Sequence, residues 1–118
     1  MKTILIIDDE ESILEVLSGI LEDENYTVLT ASDGIEGIFR LERAAVDLVL
    51  LDIWLPGKGG MDILAEIKEN HTDVEVVVIS GHGNIDMAVK AVKMGAYDFL
   101  EKPLSLDRVV TVVRNALA

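Results

Sequence analysis

Residues that can bind cations and phosphate follow several short apolar runs of this sequence. Asp8 and Asp9 come directly after the first run, and Asp52 follows the third. Ser80 follows the fourth run, and Lys102 stands shortly after the fifth. Carboxylates, a hydroxyl and an ammonium gathered at one place would suit a divalent cation with a phosphate beside it.

Close approach of these carboxylates requires a compensating charge. Two carboxylates about 4 Å apart repel by about 4 kcal/mol at an effective dielectric constant of about 20. Three of them stay ionised together only if a cation joins them, and otherwise one takes up a proton. Oxygen ligands without a nearby histidine or cysteine favour Mg²⁺ or Mn²⁺ over Zn²⁺. An aspartate beside such an ion can act as a nucleophile and become an aspartyl phosphate.

Five apolar runs predict five short strands of the kind that are buried on both faces. They are Thr3–Ile7, Tyr26–Thr30, Leu48–Leu51, Val74–Ile79 and Tyr97–Leu100. Apolar residues at helical spacing predict five amphipathic helices after them. These helices cover about Ser12–Asp23, a segment that begins at Asp33, about Met61–Asn70, a segment from near Asn84 to Gly95, and the residues after Ser105.

Repeated strand–helix units predict an α/β fold with a parallel sheet and helices on both of its faces. Five units favour the doubly wound strand order 2-1-3-4-5, a flavodoxin-like (βα)5 arrangement, over a closed barrel, which needs eight. In that order, ligands bind beyond the carboxyl ends of strands 1 and 3. Each acid taken singly also suits the start of a helix. The coincidence of polar residues at four strand ends favours a site around Asp8, Asp9 and Asp52.

Length and composition indicate one domain, which we assign to residues 1–118. Half of the 118 residues are hydrophobic, and the formal net charge is −12. Because so acidic a surface repels DNA phosphates, no direct nucleic-acid binding by this segment is expected. The sequence has no cysteine, which excludes disulfides and thiolate metal sites and fits a cytoplasmic location. Its apolar runs are shorter than the roughly 18–20 residues of a membrane span, so no membrane partner is expected.

Four motifs together resemble those of a known family. They are Asp8-Asp9, the run Leu50–Gly57 with Asp52 inside it, Ser80, and Lys102-Pro103. With these motifs, nearly the whole sequence resembles a CheY-like response-regulator receiver domain of two-component signalling. The runs Ser80–Gly83 and Gly95–Pro103 are similar to the NtrC-like branch. Members of that branch usually carry a sigma-54-dependent AAA+ ATPase and a DNA-binding domain after the receiver.

The resemblance implies a phosphoacceptor and a metal ion. Asp52 is expected to accept a phosphoryl group from a sensor histidine kinase. Mg²⁺, or Mn²⁺, is expected to bind the side chains of Asp9 and Asp52. Asp8 would help through water, and the Trp54 backbone carbonyl would be a further ligand. Receivers catalyse their own phosphorylation and slow dephosphorylation without being conventional turnover enzymes.

The resemblance also implies how the phosphoryl group is bound and sensed. Ser80 and Lys102 are expected to contact it, and the Lys102–Pro103 peptide is expected to be cis. Phe99 occupies the position of the switch aromatic, which is often Tyr in the family. Phe99 therefore has no hydroxyl with which to form a hydrogen bond in an inward position.

The fourth and fifth predicted helices carry a candidate output surface. At about 100° per residue, the side of helix 4 predicted to face the core holds Ile85, Ala88, Val89 and Val92. The opposite side, predicted to face solvent, holds Met87, Ala91 and Met94. With strand 5 and with Val112 and Ala116 of helix 5, that solvent side is predicted to form a phosphorylation-dependent interface. The resemblance implies that phosphorylation produces a homodimer through this face.

Three other functions are open at this point. A stand-alone receiver would signal by binding a partner protein instead of controlling a downstream output domain. A Mg²⁺-dependent phosphatase with an aspartyl intermediate typically has an Asp-x-Asp pattern on strand 1, whereas Asp8 and Asp9 are adjacent. A flavodoxin-like flavin binder needs a phosphate loop after strand 1, where the acids that include Glu10 would repel phosphate.

Overall fold

The computed structural model describes residues 1–55, 59–81 and 84–118, in which five strands and five helices alternate. The strands are β1 (Thr3–Ile7), β2 (Thr27–Ala31), β3 (Leu48–Asp52), β4 (Glu75–Ser80) and β5 (Asp98–Glu101). The helices are α1 (Glu11–Asp23), α2 (Gly34–Arg43), α3 (Gly60–Asn70), α4 (Ile85–Lys93) and α5 (Leu106–Ala116). Within those residue ranges, no helix is long and apolar enough to cross a membrane.

The strands form one parallel sheet in the order β2-β1-β3-β4-β5, which confirms the predicted topology. Helices α1 and α5 cover one face, and α2, α3 and α4 cover the other. In β1, Ile4 and Ile6 pack into the apolar cluster beneath α1 and α5, whereas Leu5 and Ile7 pack into the apolar cluster beneath α2, α3 and α4. Full burial of such a side chain contributes about 1.5–3 kcal/mol to folding. The central strands are therefore firm supports for the side chains at their ends.

Strands β2, β3, β4 and β5 each extend one residue beyond their predicted ends, and in β3 and β4 the added residue is one of the predicted polar groups. Asp52 is the last residue of β3 and pairs in register with Ile79. Ser80 is the last residue of β4 and pairs with Glu101. The apolar pattern stops before these residues because their side chains are polar, although the backbone ladder continues through them.

Side chains cap two helices at the residues that mark the predicted starts of these helices. The Asp33 carboxylate accepts a hydrogen bond of 2.8 Å from the Glu36 backbone N–H at the start of α2. The Ser105 hydroxyl accepts one of 3.4 Å from the Arg108 backbone N–H at the start of α5. Asn84 precedes α4 as expected, but its side chain makes no capping bond.

Helix α4 faces the sheet with the opposite side from the one predicted. Ala88 and Ala91 are fully buried, and Met87 and Met94 are partly buried against the apolar cluster. Of the four residues predicted for the core, only Ala88 is buried, and the exposed fractions of the other three are 48% for Ile85, 44% for Val89 and 41% for Val92. Both sides of the helix are apolar, so periodicity alone did not decide between them. The small alanines let the helix axis approach the sheet closely.

The prediction for α5 is also wrong about exposure. Val112 is only 4% exposed, and Ala116 packs, partly buried, against the cluster beneath α1 and α5. Leu106, at the start of α5, is 41% exposed. The five residues predicted as an output face are therefore buried (Ala91 and Val112) or partly buried (Met87, Met94 and Ala116) and do not form an exposed surface.

Gly60 fixes the position of the start of α3 against β3. Its N–H donates to the Ile53 carbonyl at 3.0 Å. A Cβ at Gly60 would collide with the Asp52 carbonyl oxygen and lie 2.5 Å from the Ile53 Cα. These are backbone atoms beside the site, so they cannot move aside without disturbing Asp52.

We expect Gly60→Ala to lower the free energy of unfolding by about 1–3 kcal/mol, because the added methyl overpacks a rigid contact. Urea denaturation measures this change. Gly59→Ala is the matched control, since a Cβ at Gly59 meets nothing within 4 Å. Equal effects of the two substitutions would contradict the steric explanation.

Candidate functional site

The carboxyl ends of four strands bring the predicted chemical groups together. Asp8 follows β1, Asp52 ends β3, and Ser80 ends β4. All three are buried, with exposed fractions of 0%, 3% and 0% respectively. Lys102 follows β5, and its backbone N–H donates to the Ser80 carbonyl at 2.9 Å. Buried polar groups at the ends of well-packed strands form a pre-organised site.

Three carboxylates form the centre of this site. Asp8, Asp9 and Asp52 each offer an oxygen, and these oxygens all lie within 4.8 Å of one another. The Asp8 Oδ1 accepts a hydrogen bond from the Glu10 backbone N–H at 2.9 Å. The Asp52 Oδ1 accepts one from the Trp54 backbone N–H, also at 2.9 Å. The buried Asp8 Oδ2 has no hydrogen-bond partner among the described residues.

Burial raises the pKa of Asp8 to about 6 from its ordinary value of 3.8. The hydrogen bond from the Glu10 N–H acts against this rise and lowers the pKa. The charge of Asp52 raises it further, while the positive charge of Lys102 lowers it. Asp8 is therefore a carboxylate whose negative charge is incompletely compensated.

The Lys102 ammonium lies among three carboxylates. Its Nζ is 2.9 Å from Glu10 Oε1, 3.6 Å from Asp52 Oδ2 and 3.8 Å from Asp8 Oδ2. Burial lowers the pKa of Lys102, but the hydrogen bond to Glu10 and the negative charges of Asp52 and Asp8 outweigh burial and raise the pKa above its ordinary value. The ammonium therefore stays charged beside Asp52.

A hydroxyl and an aromatic ring complete the surroundings of Asp52. The Ser80 Oγ is buried and has no hydrogen-bond partner in the described ranges. Trp54 lies on the turn after β3 and is 56% exposed. A Cβ at Gly81 would lie 3.8 Å from two atoms of the Trp54 ring. The ring therefore stands close to the segment that follows Ser80.

The acidic cluster suits a hard divalent cation such as Mg²⁺. Its ligand atoms are all oxygens, which Mg²⁺ prefers. The Asp8 Oδ2, which accepts no hydrogen bond from the described residues, is a buried acceptor that a cation would satisfy. Asp8, Asp9 and Asp52 are the residues that would hold the ion. The ligand role of the Trp54 carbonyl stays a prediction.

Other predicted features lie at or near the site. The Lys102–Pro103 peptide is cis, as the resemblance implies. Phe99 is partly buried and packs against the cluster beneath α2, α3 and α4. Residues 56–58 and 82–83, which carry parts of two motifs, lie outside the described residues.

Sequence reasoning missed the role of Glu10 in the site. Glu10 was noted only as the third acid after the first strand, yet its side chain forms the shortest contact of Lys102. The two residues are 92 positions apart. The pair becomes visible only in the structure, where the loop after β1 and the loop after β5 meet at one edge of the sheet.

The fold and site together define a doubly wound α/β domain with an acidic pocket at its switch point. The chain belongs to the response regulator receiver domain family, which matches residues 4–114. This membership confirms the resemblance on which the predicted site rests.

Known relatives place the chain near the NtrX and NtrC regulators. The nitrogen assimilation regulatory protein NtrX of Azorhizobium caulinodans is 48% identical over 116 residues, which are 97% of this chain and 26% of that protein. The receiver domain of NtrX from Brucella abortus is 46% identical, with a TM-score of 0.93 and 97% of both chains covered. The beryllofluoride-activated NtrC4 receiver domain dimer is 44% identical, with a TM-score of 0.93 and coverage of 99% of this chain and 97% of that one. The chain spans about a quarter of the length of the curated relatives it matches.

Because its folded pKa is raised, Asp8 makes the metal-free domain less stable as the pH rises through about 6. The folded state holds this proton more tightly than the unfolded chain does between pH 3.8 and about 6. Asp8→Asn removes the buried charge and keeps an acceptor for the Glu10 N–H. We expect it to raise the free energy of unfolding by about 2 kcal/mol at pH 8.

Urea denaturation with a metal chelator measures this effect at pH 8 and again at pH 5, where the gain should shrink. Asp9→Asn is the control, because the Asp9 side chain is exposed and its charge is already solvated. An Asp8→Asn protein no more stable than the wild type at pH 8 would show that the buried charge is compensated.

Proposed function

We propose that this chain is a phosphorylation-controlled receiver in which Asp52 accepts a phosphoryl group from the phosphohistidine of a sensor histidine kinase. The observation that carries the proposal is the meeting of three carboxylates with Lys102 and Ser80 at one switch point. Carboxylates for a cation, an ammonium and a hydroxyl are the groups that phosphoryl transfer to a carboxylate needs.

Asp52 is the best placed of the three acids to act as the nucleophile. Its Oδ1 is held by the Trp54 N–H, and its Oδ2 faces the Lys102 ammonium at 3.6 Å. In the transfer, a carboxylate oxygen of Asp52 forms a bond to phosphorus while the nitrogen–phosphorus bond of the donor breaks. The departing imidazole takes up a proton from solvent. Lys102 and the Ser80 hydroxyl then bind phosphoryl oxygens.

Mg²⁺ or Mn²⁺ is the proposed cofactor. When bound by Asp8, Asp9 and Asp52, with the Trp54 carbonyl as a further proposed ligand, the cation offsets carboxylate repulsion and attracts phosphate oxygens. The chain's own contribution is to hold these oxygens in place on firm strands and to keep Lys102 charged nearby. We propose that the same groups support slow loss of the phosphoryl group to water.

The proposed switch begins at Ser80. Its hydroxyl has no partner among the described residues, so it is free to bond a phosphoryl oxygen on Asp52. Ser80 ends β4, and α4 begins at Ile85, so a shift of Ser80 is passed to the start of this helix. Phe99, on the neighbouring β5, would turn toward space vacated beside β4. One phosphoryl group can drive this change only if the two states differ by a few kcal/mol.

The exposed stripe of α4 is the proposed surface for phosphorylation-dependent self-association. Ile85, Val89 and Val92 lie on its outward side, each more than 40% exposed. A row of exposed apolar residues marks an interaction surface. The similar NtrC4 receiver domain was solved as a beryllofluoride-activated dimer. These three residues replace Met87, Ala91 and Met94 as the proposed interface.

The proposed output is sigma-54-dependent activation of transcription by further domains of a longer regulator. The likeness to NtrX and to NtrC4 favours this assignment, since the chain spans about a quarter of the NtrX relatives. A stand-alone receiver that binds a partner protein is the second candidate. The length of the encoding gene distinguishes the two. The net charge of −12 argues against direct DNA contact by this segment in either case.

We expect Asp52→Asn to abolish phosphorylation, because an amide oxygen is too weak a nucleophile to form the phosphoryl bond. Incubation with Mg²⁺ and acetyl phosphate, followed by intact-mass spectrometry, should show one added phosphoryl group on the wild type and none on the variant. Asp73→Asn, an exposed position between α3 and β4, should be modified like the wild type. A phosphoryl group retained on the Asp52→Asn protein would identify a different acceptor.

We expect Val89→Glu to abolish the self-association that follows phosphorylation, because it places a charge in the middle of the exposed α4 stripe. Sedimentation velocity with and without Mg²⁺ and beryllofluoride measures the shift. Ile35→Glu is the matched control, since Ile35 is 75% exposed on α2, away from this stripe. If the Val89→Glu protein associates as the wild type does, α4 is not the interface.

A further inference from the structure

The closest partner of Lys102 lies outside the acidic cluster. Its Nζ is 2.9 Å from Glu10 Oε1 but 3.6 Å from Asp52 Oδ2 and 3.8 Å from Asp8 Oδ2. Charge-assisted hydrogen bonds between an ammonium and a carboxylate span about 2.7–2.9 Å. Only the contact with Glu10 has this length, so the ammonium is displaced from Asp52 toward Glu10.

The backbone of Glu10 is anchored in the site, whereas its side chain forms a hydrogen bond only with Lys102 among the residues that the structure describes. Glu10 is the residue before α1, and its N–H donates to Asp8 Oδ1 at 2.9 Å. Its side chain makes no capping hydrogen bond to the helix that follows. The carboxylate instead reaches Lys102, and 55% of that side chain is exposed.

We propose that Glu10 is a positioning residue that holds Lys102 away from Asp52 in the unphosphorylated domain and releases it when a phosphoryl group occupies the site. This inference rests on the proposed function of Asp52. Glu10 then has two opposing effects. It weakens the neutralisation of Asp52 and Asp8 by the ammonium, which leaves more negative charge for a cation, and it competes with the phosphoryl group for the same ammonium.

The competition predicts both a direction and a size. The contact between Glu10 and Lys102 exists before the anion binds and is lost afterwards, so removing it favours the anion-bound state. Ion pairs that are partly exposed, as this one is, change an equilibrium by about two- to fivefold.

Glu10→Gln tests the proposal with Glu11→Gln as its control. Glu11 is the adjacent acid in the first turn of α1, so its loss changes the net charge equally. Titration with beryllofluoride at saturating Mg²⁺, followed by the fluorescence of Trp54, measures the affinity for a phosphoryl analogue. We expect Glu10→Gln to bind about two- to fivefold more tightly than Glu11→Gln.

A spectroscopic signature separates this contact from a general structural effect. In the metal-free protein, the side-chain ¹³Cε signal of Lys102 should move in Glu10→Gln and stay in place in Glu11→Gln. With Mg²⁺ and beryllofluoride bound, the signals of all three proteins should coincide, because Lys102 has then left Glu10.

The outcomes distinguish this inference from the function on which it rests. If the wild type binds beryllofluoride and both variants bind it equally, Glu10 acts only through its charge and the inference fails alone. Weaker binding by Glu10→Gln than by Glu11→Gln would mean that Glu10 directs Lys102 toward the anion, which also overturns it. If the wild type itself fails to bind beryllofluoride with Mg²⁺, the proposed function fails and this inference fails with it.

Discussion

Repulsion between carboxylates that cannot move apart is the constraint on which this domain depends. β1 and β3 are adjacent strands, with Ile7 in register with Leu51, so Asp8 and Asp52 are fixed at one edge. Their strands are held by buried aliphatic side chains on both faces. The core therefore maintains a local excess of negative charge that folding alone would disfavour. Lys102 compensates part of this charge, and the proposed cation would compensate the rest.

The same edge of the sheet divides into a firm part and a part able to adjust. On the firm side, the contact of Gly60 with the backbone of Asp52 and Ile53 leaves no room for displacement. On the other side, Ser80 has a buried hydroxyl without a partner among the described residues and leads into the segment before α4. A phosphoryl group on Asp52 would thus be attached to a carboxylate that is held in place, and it would lie near a Ser80 hydroxyl that can form a new hydrogen bond. This asymmetry supports the proposal that a conformational response passes toward α4 rather than α3.

Much of this arrangement follows from sequence, and the exceptions have physical causes. The alternation of apolar runs and amphipathic segments predicts the sheet order, and polar residues after those runs locate Asp8, Asp52 and Lys102. The orientation of α4 is not predictable from periodicity, because alanine and methionine on one side are as apolar as isoleucine and valine on the other. The pairing of Glu10 with Lys102 depends on how two loops converge, which no local pattern encodes.

The alanines beneath α4 have a consequence for local stability. A helix that buries Ala88 and Ala91 removes less apolar area from water than α3 does with Ile63, Leu64 and Ile67. Short side chains also interlock weakly with the sheet, so sliding or tilting of the helix breaks few contacts. Helix α4 is thus held to the sheet mainly by short side chains, so a shift of this helix should cost less free energy than a shift of α3.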